Sequence, residues 1–101
     1  EKILEKKYTK WFDCDKINCE LSVRTRRSGD YMAVSQSSGH KKLTRCMIDD
    51  KIPGELRGKL PLVVDGNEVL WIVGGRINER YKITSETGRV LEITYQGGNV
   101  Q

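Results

Sequence analysis

Six cationic side chains, Arg24, Arg26, Arg27, Lys41, Lys42 and Arg45, fall within residues 21–45 against a single acid, Asp30. That quarter of the chain carries a net +5, whereas all 101 residues together carry +4, so the remainder sums to −1. Charge confined in this way is the footprint of a face that holds phosphate; a merely solvated surface mixes the signs. Arginine suits such a face because its planar fork donates two parallel hydrogen bonds. Lys41, Lys42 and Arg45 also open a stretch of helical spacing that closes on Asp49 and Asp50. Both placements oppose the helix dipole, by roughly 0.3–1 kcal/mol per exposed charge. A bound anion at the helix start turns that cost into a gain, and salt bridges to acids elsewhere would also offset it. The neighbouring arginines favour the anion. Arg76 and Arg80, which follow the Gly74-Gly75 break, either extend the basic surface or pair with Glu79 or Glu86.

Catalytic signals are absent. His40 is the only histidine and falls in an expected loop, with no nucleophile or carboxylate at a telling spacing. There is no P-loop, no Ser-Gly-Gly nucleotide motif, and no third glycine after Gly74-Gly75 to complete a dinucleotide fingerprint. Cys14, Cys19 and Cys46 are an odd set at loose spacing, which points to reduced thiols in a cytosol rather than a disulfide framework. A Cys3His zinc site with His40 would need tighter spacing than Cys14-x4-Cys19 and His40-x5-Cys46 provide, so buried or incidental cysteines are preferred. No catalytic residue and no metal ligand is assigned.

The elements that must position the cations follow from hydrophobic periodicity. With 37% hydrophobic and 32% charged residues, the chain fits one small folded domain and lacks a run long enough for a membrane helix. Residues 1–10 suggest a short helix or linker, residues 11–96 the domain, and residues 97–101 a frayed tail. Residues 11–17 predict a strand, with Trp11 and Trp71 both in the core. Residues 21–27 alternate, placing Leu21, Val23 and Thr25 inward and Ser22, Arg24 and Arg26 on a wet face, before a turn at Ser28-Gly29-Asp30. Residues 35–39 read as a loop. Residues 41–51 predict a helix with Leu43, Cys46 and Met47 on one side, ended by Ile52-Pro53, and residues 54–59 a second short helix. Residues 62–64 and 68–73 flank Asp65-Gly66-Asn67 as a β-hairpin whose second arm is buried on both faces. Residues 81–84 and 90–95 predict the last strands, with Leu91, Ile93 and Tyr95 inward. The fold class is α+β: short, mainly antiparallel strands with two small central helices.

Five stretches in one order carry a family resemblance: Leu21-Ser-Val-Arg-Thr-Arg-Arg-Ser-Gly-Asp30, Lys41-Lys-Leu43, Ile48-Asp-Asp-Lys-Ile-Pro53, Leu60-Pro-Leu62 and Trp71-Ile-Val-Gly-Gly-Arg-Ile77. Together they resemble the C-terminal domain of bacterial tRNA(Ile)-lysidine synthetase, across residues 11–95. The resemblance implies a cytoplasmic parent ligase. Its N-terminal domain activates an anticodon cytidine of isoleucine tRNA with ATP and magnesium, and lysine then displaces AMP to give lysidine. The chain itself would need no cofactor; it would help recognise the tRNA, including the acceptor stem. The implied partners are that tRNA and the parent's own catalytic domain; a second copy in a homodimer is the partner suggested by the apolar strands and Trp71 in the rival reading below. The implied fold is one shared with a domain of the phenylalanyl-tRNA synthetase β chain. On this basis Arg24, Arg26, Arg27, Lys41, Lys42, Arg45, Arg76 and Arg80 are the expected tRNA contacts. Ser28 stands where many relatives have proline, which predicts a looser turn. The rival from another class is a protein interaction or dimerisation module whose basic face is only solvated.

Overall fold

The computed structural model describes residues 8–18, 20–35 and 39–96. The expectations for residues 1–7, for Cys19, for residues 36–38 of the loop and for the tail at 97–101 lie outside the described residues. Among the described residues, seven strands form two sheets. β1 (Thr9–Asp13) pairs antiparallel with β7 (Val90–Thr94), from Thr9 opposite Thr94 to Asp13 opposite Val90. β2 (Leu21–Arg24), β3 (Tyr31–Ala33), β4 (His40–Lys42), β5 (Leu62–Asp65) and β6 (Glu68–Ile72) make a five-stranded sheet in the order β2-β5-β6-β3-β4. It is antiparallel except for the short parallel contact of β3 with β6. Two helices, α1 (Leu43–Asp49) and α2 (Gly54–Arg57), come between β4 and β5.

The hairpin forms where the sequence places it. Gly66, at φ +71°, is the first of two turn residues, a position whose positive φ favours glycine in tight hairpins. β6 sits at the centre of the sheet, and all five of its residues are buried. Its register with β5 slips by one residue, so that Val63 faces Trp71 while Val64 faces Val69, and Leu70 is extra. This bulge breaks the alternation. Val69 and Ile72 therefore pack with Met32, Leu43, Cys46, Met47, Leu62 and Val64 beneath α1. Leu70, Trp71 and Val73 join Phe12, Val63 and Tyr81 beneath the β1–β7 ribbon. The sheet is thus covered on both faces, and β7 supplies Leu91 and Ile93 from its inner side while Val90, Glu92 and Thr94 stay exposed.

Four expectations are corrected. β1 begins at Thr9, inside the stretch read as linker, and yields to a 3-10 turn at Cys14–Lys16 rather than running on to Ile17. Trp11 is 42% exposed, because the strand parity that buries Phe12 turns Trp11 outward. The helix starts at Leu43, since His40, Lys41 and Lys42 are taken up by pairing with β3. It ends at Asp49, with Lys51 in the left-handed region (φ +61°) turning the chain into Pro53 and α2.

The fourth concerns Tyr81, which lies in a 3-10 turn (Glu79–Tyr81) instead of a strand. Its buried hydroxyl donates to Asp65 Oδ2 at 2.9 Å and lies 3.2 Å from Glu68 Oε1, while Arg80 donates to it at 3.1 Å. Burial and the adjoining carboxylates, Asp65 first, push the phenol well above its ordinary range, so it remains a donor at neutral pH. Replacing Tyr81 with Phe should cost about 1–3 kcal/mol in denaturant melts, because the buried Asp65 carboxylate loses a donor. A neutral substitution would show that solvent or another donor takes its place.

Candidate nucleic-acid interface

The turn after β2 and the junction of β4 with α1 enclose a shallow recess of about 400 Å³. Arg26, Arg27, Asp30, Lys42 and Thr44 line it around the Ser28-Gly29 turn. Gly29 takes φ +91°, a conformation glycine adopts without steric cost. The turn does not depend on proline. Asp30 accepts the Arg27 N–H at 2.8 Å and returns its own N–H to the Arg27 carbonyl at 3.2 Å, which closes the loop from both sides.

Arg24 holds that turn. β2 ends at Arg24, so the alternation does not continue to Arg26, and Arg24 points inward while Val23 is 57% exposed. The Arg24 guanidinium donates to Asp30 Oδ2 and Oδ1 at 2.9 and 2.8 Å, and to the carbonyls of Thr25 and Gly66. Its side chain is 13% exposed and that of Asp30 only 1%. Burial pushes the Asp30 carboxyl up, yet Arg24, the Arg27 N–H and Asn67 together outweigh it and hold the group below the ordinary carboxylate range. The one acid in the recess is therefore already neutralised.

Arg76 and Arg80 are also engaged in ion pairs. Arg76 makes a two-pronged pair with Asp50, and Arg80 a two-pronged pair with Glu68 at 3.0 and 3.1 Å. Arg80 also lies over the Tyr81 ring, 4.8 Å from its centroid. Lys41 faces the helix and donates to Asp49 at 3.0 Å, with Arg45 3.5 Å from the same carboxylate. Lys41 and Arg45 are therefore compensated by Asp49, and Asp50 by Arg76, whereas Lys42 is not.

What is left is narrower than the sequence suggested. Among the described residues, the charged side-chain groups of Arg26, Arg27 and Lys42 have no carboxylate oxygen within 4 Å, and all three residues line the same recess. Arg45, with a 65% exposed side chain, is not among the residues that line it. Sequence reasoning passed over Thr44 and the stacked pair Tyr31–His40, whose rings are 4.2 Å apart. The alternation of His40, Lys41 and Lys42 was too short a signal to announce a strand.

Of the four side chains considered for zinc, Cys19 lies outside the described residues, and Cys46 and His40 do not face a common point. Cys46 faces the core from the inner side of α1, where burial raises its thiol, while His40 lies on an exposed strand face. Among the described residues no group of three or more His, Cys, Asp or Glu side chains converges. Nor is any helix among them long and apolar enough to cross a membrane.

Comparison with known proteins places this arrangement. The family described as TilS substrate C-terminal domain matches residues 21–93. A tRNA(Ile)-lysidine synthase of Caldanaerobacter subterraneus subsp. tengcongensis is 44% identical over 88 residues, covering 87% of this chain and 19% of that protein. One from Clostridium tetani is 43% identical over 90 residues, with 89% and 19% covered. The chain thus spans about a fifth of the length of the curated relatives it matches. A crystal structure of a TILS C-terminal domain superposes with a TM-score of 0.60 at 29% identity, over 86% of this chain and 72% of the other.

Proposed function

The chain belongs to the family of TilS substrate C-terminal domains, and from that premise we propose that it is the tRNA-recognition domain of a tRNA(Ile)-lysidine synthase. In this reading the parent enzyme uses ATP and lysine to convert an anticodon cytidine of isoleucine tRNA to lysidine. ATP and magnesium chemistry belongs, in the same reading, to the parent's catalytic domain. The part given to this chain is to grip the tRNA, the acceptor stem included. The observation that carries the reading is the recess in which Arg26, Arg27 and Lys42 face solvent without a carboxylate partner among the described residues. An acceptor stem is A-form RNA, whose major groove side chains cannot read, so contact runs through phosphates, 2′-hydroxyls and shape. Cations on a turn pinned by Arg24 and Asp30 meet that requirement, because they keep their geometry without the ligand.

Titrating the chain with isoleucine tRNA at increasing salt checks the proposal. Three phosphate contacts predict a log–log slope of about −2 to −3, at roughly 0.7–0.9 per contact. A flat response would favour the second reading, a protein-docking module. The observation behind that rival is an apolar groove of about 240 Å³ between the two sheets, lined by Leu21, Val23, Val63, Leu91 and Ile93.

A further inference from the structure

On the outer face of the β3–β4 hairpin the His40 imidazole lies against the Tyr31 ring, with centroids 4.2 Å apart and planes inclined by 37°. The register fixes this placement. Tyr31 is opposite Lys42 and Ala33 opposite His40, so the period of two puts Tyr31, His40 and Lys42 on one face and Met32 and Lys41 on the other. The inner pair behaves accordingly: Met32 is in the core and Lys41 turns to Asp49. Lys42 is also a wall of the basic recess, and Asp30, another wall, directly precedes Tyr31. An aromatic pair therefore borders three cations that have no carboxylate partner among the described residues. Neither ring belongs to the two buried clusters, and His40 is exposed.

Phosphates of a duplex ask only for cations, since its bases stay stacked on one another. Unpaired bases offer a free π-face, and proteins meet them with exposed aromatic rings beside positive charge. We propose that the Tyr31–His40 pair receives an unpaired nucleotide of RNA, its base stacked on the rings and its phosphate held by Lys42 with Arg26 and Arg27. This rests on the RNA-binding reading above and gives the same face a second element to recognise, a single strand adjoining a duplex.

Two RNA probes test it against the chain: a blunt hairpin, and the same hairpin with a four-nucleotide single-stranded 3′ extension carrying 2-aminopurine. Wild type should bind the extended probe about tenfold tighter, the value of one stacked base, and quench its fluorescence. His40→Ala should remove the preference and the quench while leaving blunt-hairpin affinity and the melting temperature unchanged. His40→Phe should keep them, and Lys42→Gln should weaken both probes alike. Equal binding of the two probes by wild type, or an unaltered preference in His40→Ala, would overturn the stacking proposal and leave the basic-face reading standing. Salt-independent binding, or none, to either hairpin would remove that reading and this proposal with it.

Discussion

Asp30→Ala should cost about 3–5 kcal/mol of folding stability, the largest loss expected from any single substitution outside the apolar core. Asp30 is 1% exposed at its side chain and accepts from both terminal nitrogens of Arg24, from the Arg27 N–H and from Asn67 Nδ2. Its removal leaves an arginine confined between carbonyls without its counter-charge. For a domain of this size that corresponds to a melting temperature lower by roughly 12 °C or more. Urea melts check the expectation, with an unchanged m-value showing that the loss is in stability. Substituting both partners at once, Arg24→Met with Asp30→Leu, should recover much of the loss, because no charge is then left buried alone. The pH dependence has a fixed sign. Asp30 is held below its ordinary value in the folded chain, so its contribution is complete above about pH 4 and fades as the pH falls further. A loss below about 1 kcal/mol for Asp30→Ala would mean that water solvates Arg24, and that the turn is held by something else.

The second large effect is on binding. Replacing Arg26, Arg27 and Lys42 together with Gln should weaken tRNA affinity roughly a hundredfold to a thousandfold, at about tenfold per charged contact. The salt slope should shrink by about 2 to 3. The melting temperature should not fall, because no ion pair of these three side chains exists among the described residues. Arg76→Gln and Arg80→Gln serve as the opposite controls. They break pairs with Asp50 and Glu68, so they should lower stability and leave affinity nearly unchanged. Lys41→Gln separates two ideas about the 41–45 region: as the partner of Asp49 it should affect binding far less than Lys42→Gln. If the triple variant binds tRNA like wild type, the recess is not the contact surface.

Much of the fold was legible because it depends on local periodicity. The continuous apolar run at 69–73 is the buried central strand, the Asp65-Gly66-Asn67 turn is the hairpin, and Leu43, Cys46 and Met47 are the inner side of α1. The alternation of Leu91 and Ile93 is the inner face of β7. Periodicity failed where an element is short. Three residues of β4 carry too little pattern to compete with the helical spacing that follows them. It also failed where parity alone decides burial: Trp11 and Phe12 are adjacent, and only the pairing of β1 with β7 determines which of them turns inward.

The candidate site divides along the same line. By itself the sequence established that positive charge is concentrated in residues 21–45 and, through its motifs in register, which family the chain joins. Which cations stay open to a ligand was decided by the tertiary structure. Arg24 is taken by Asp30 across a turn and by the carbonyl of Gly66, 42 residues on; Arg76 is taken by Asp50, 26 residues back; Arg80 is taken by Glu68, 12 residues back. Charge adds up along a chain whatever its fold, so composition reveals the total. An ion pair forms only where folding brings two groups within a few ångströms, and a guanidinium already paired with a carboxylate has its charge compensated and fewer N–H groups to give a phosphate.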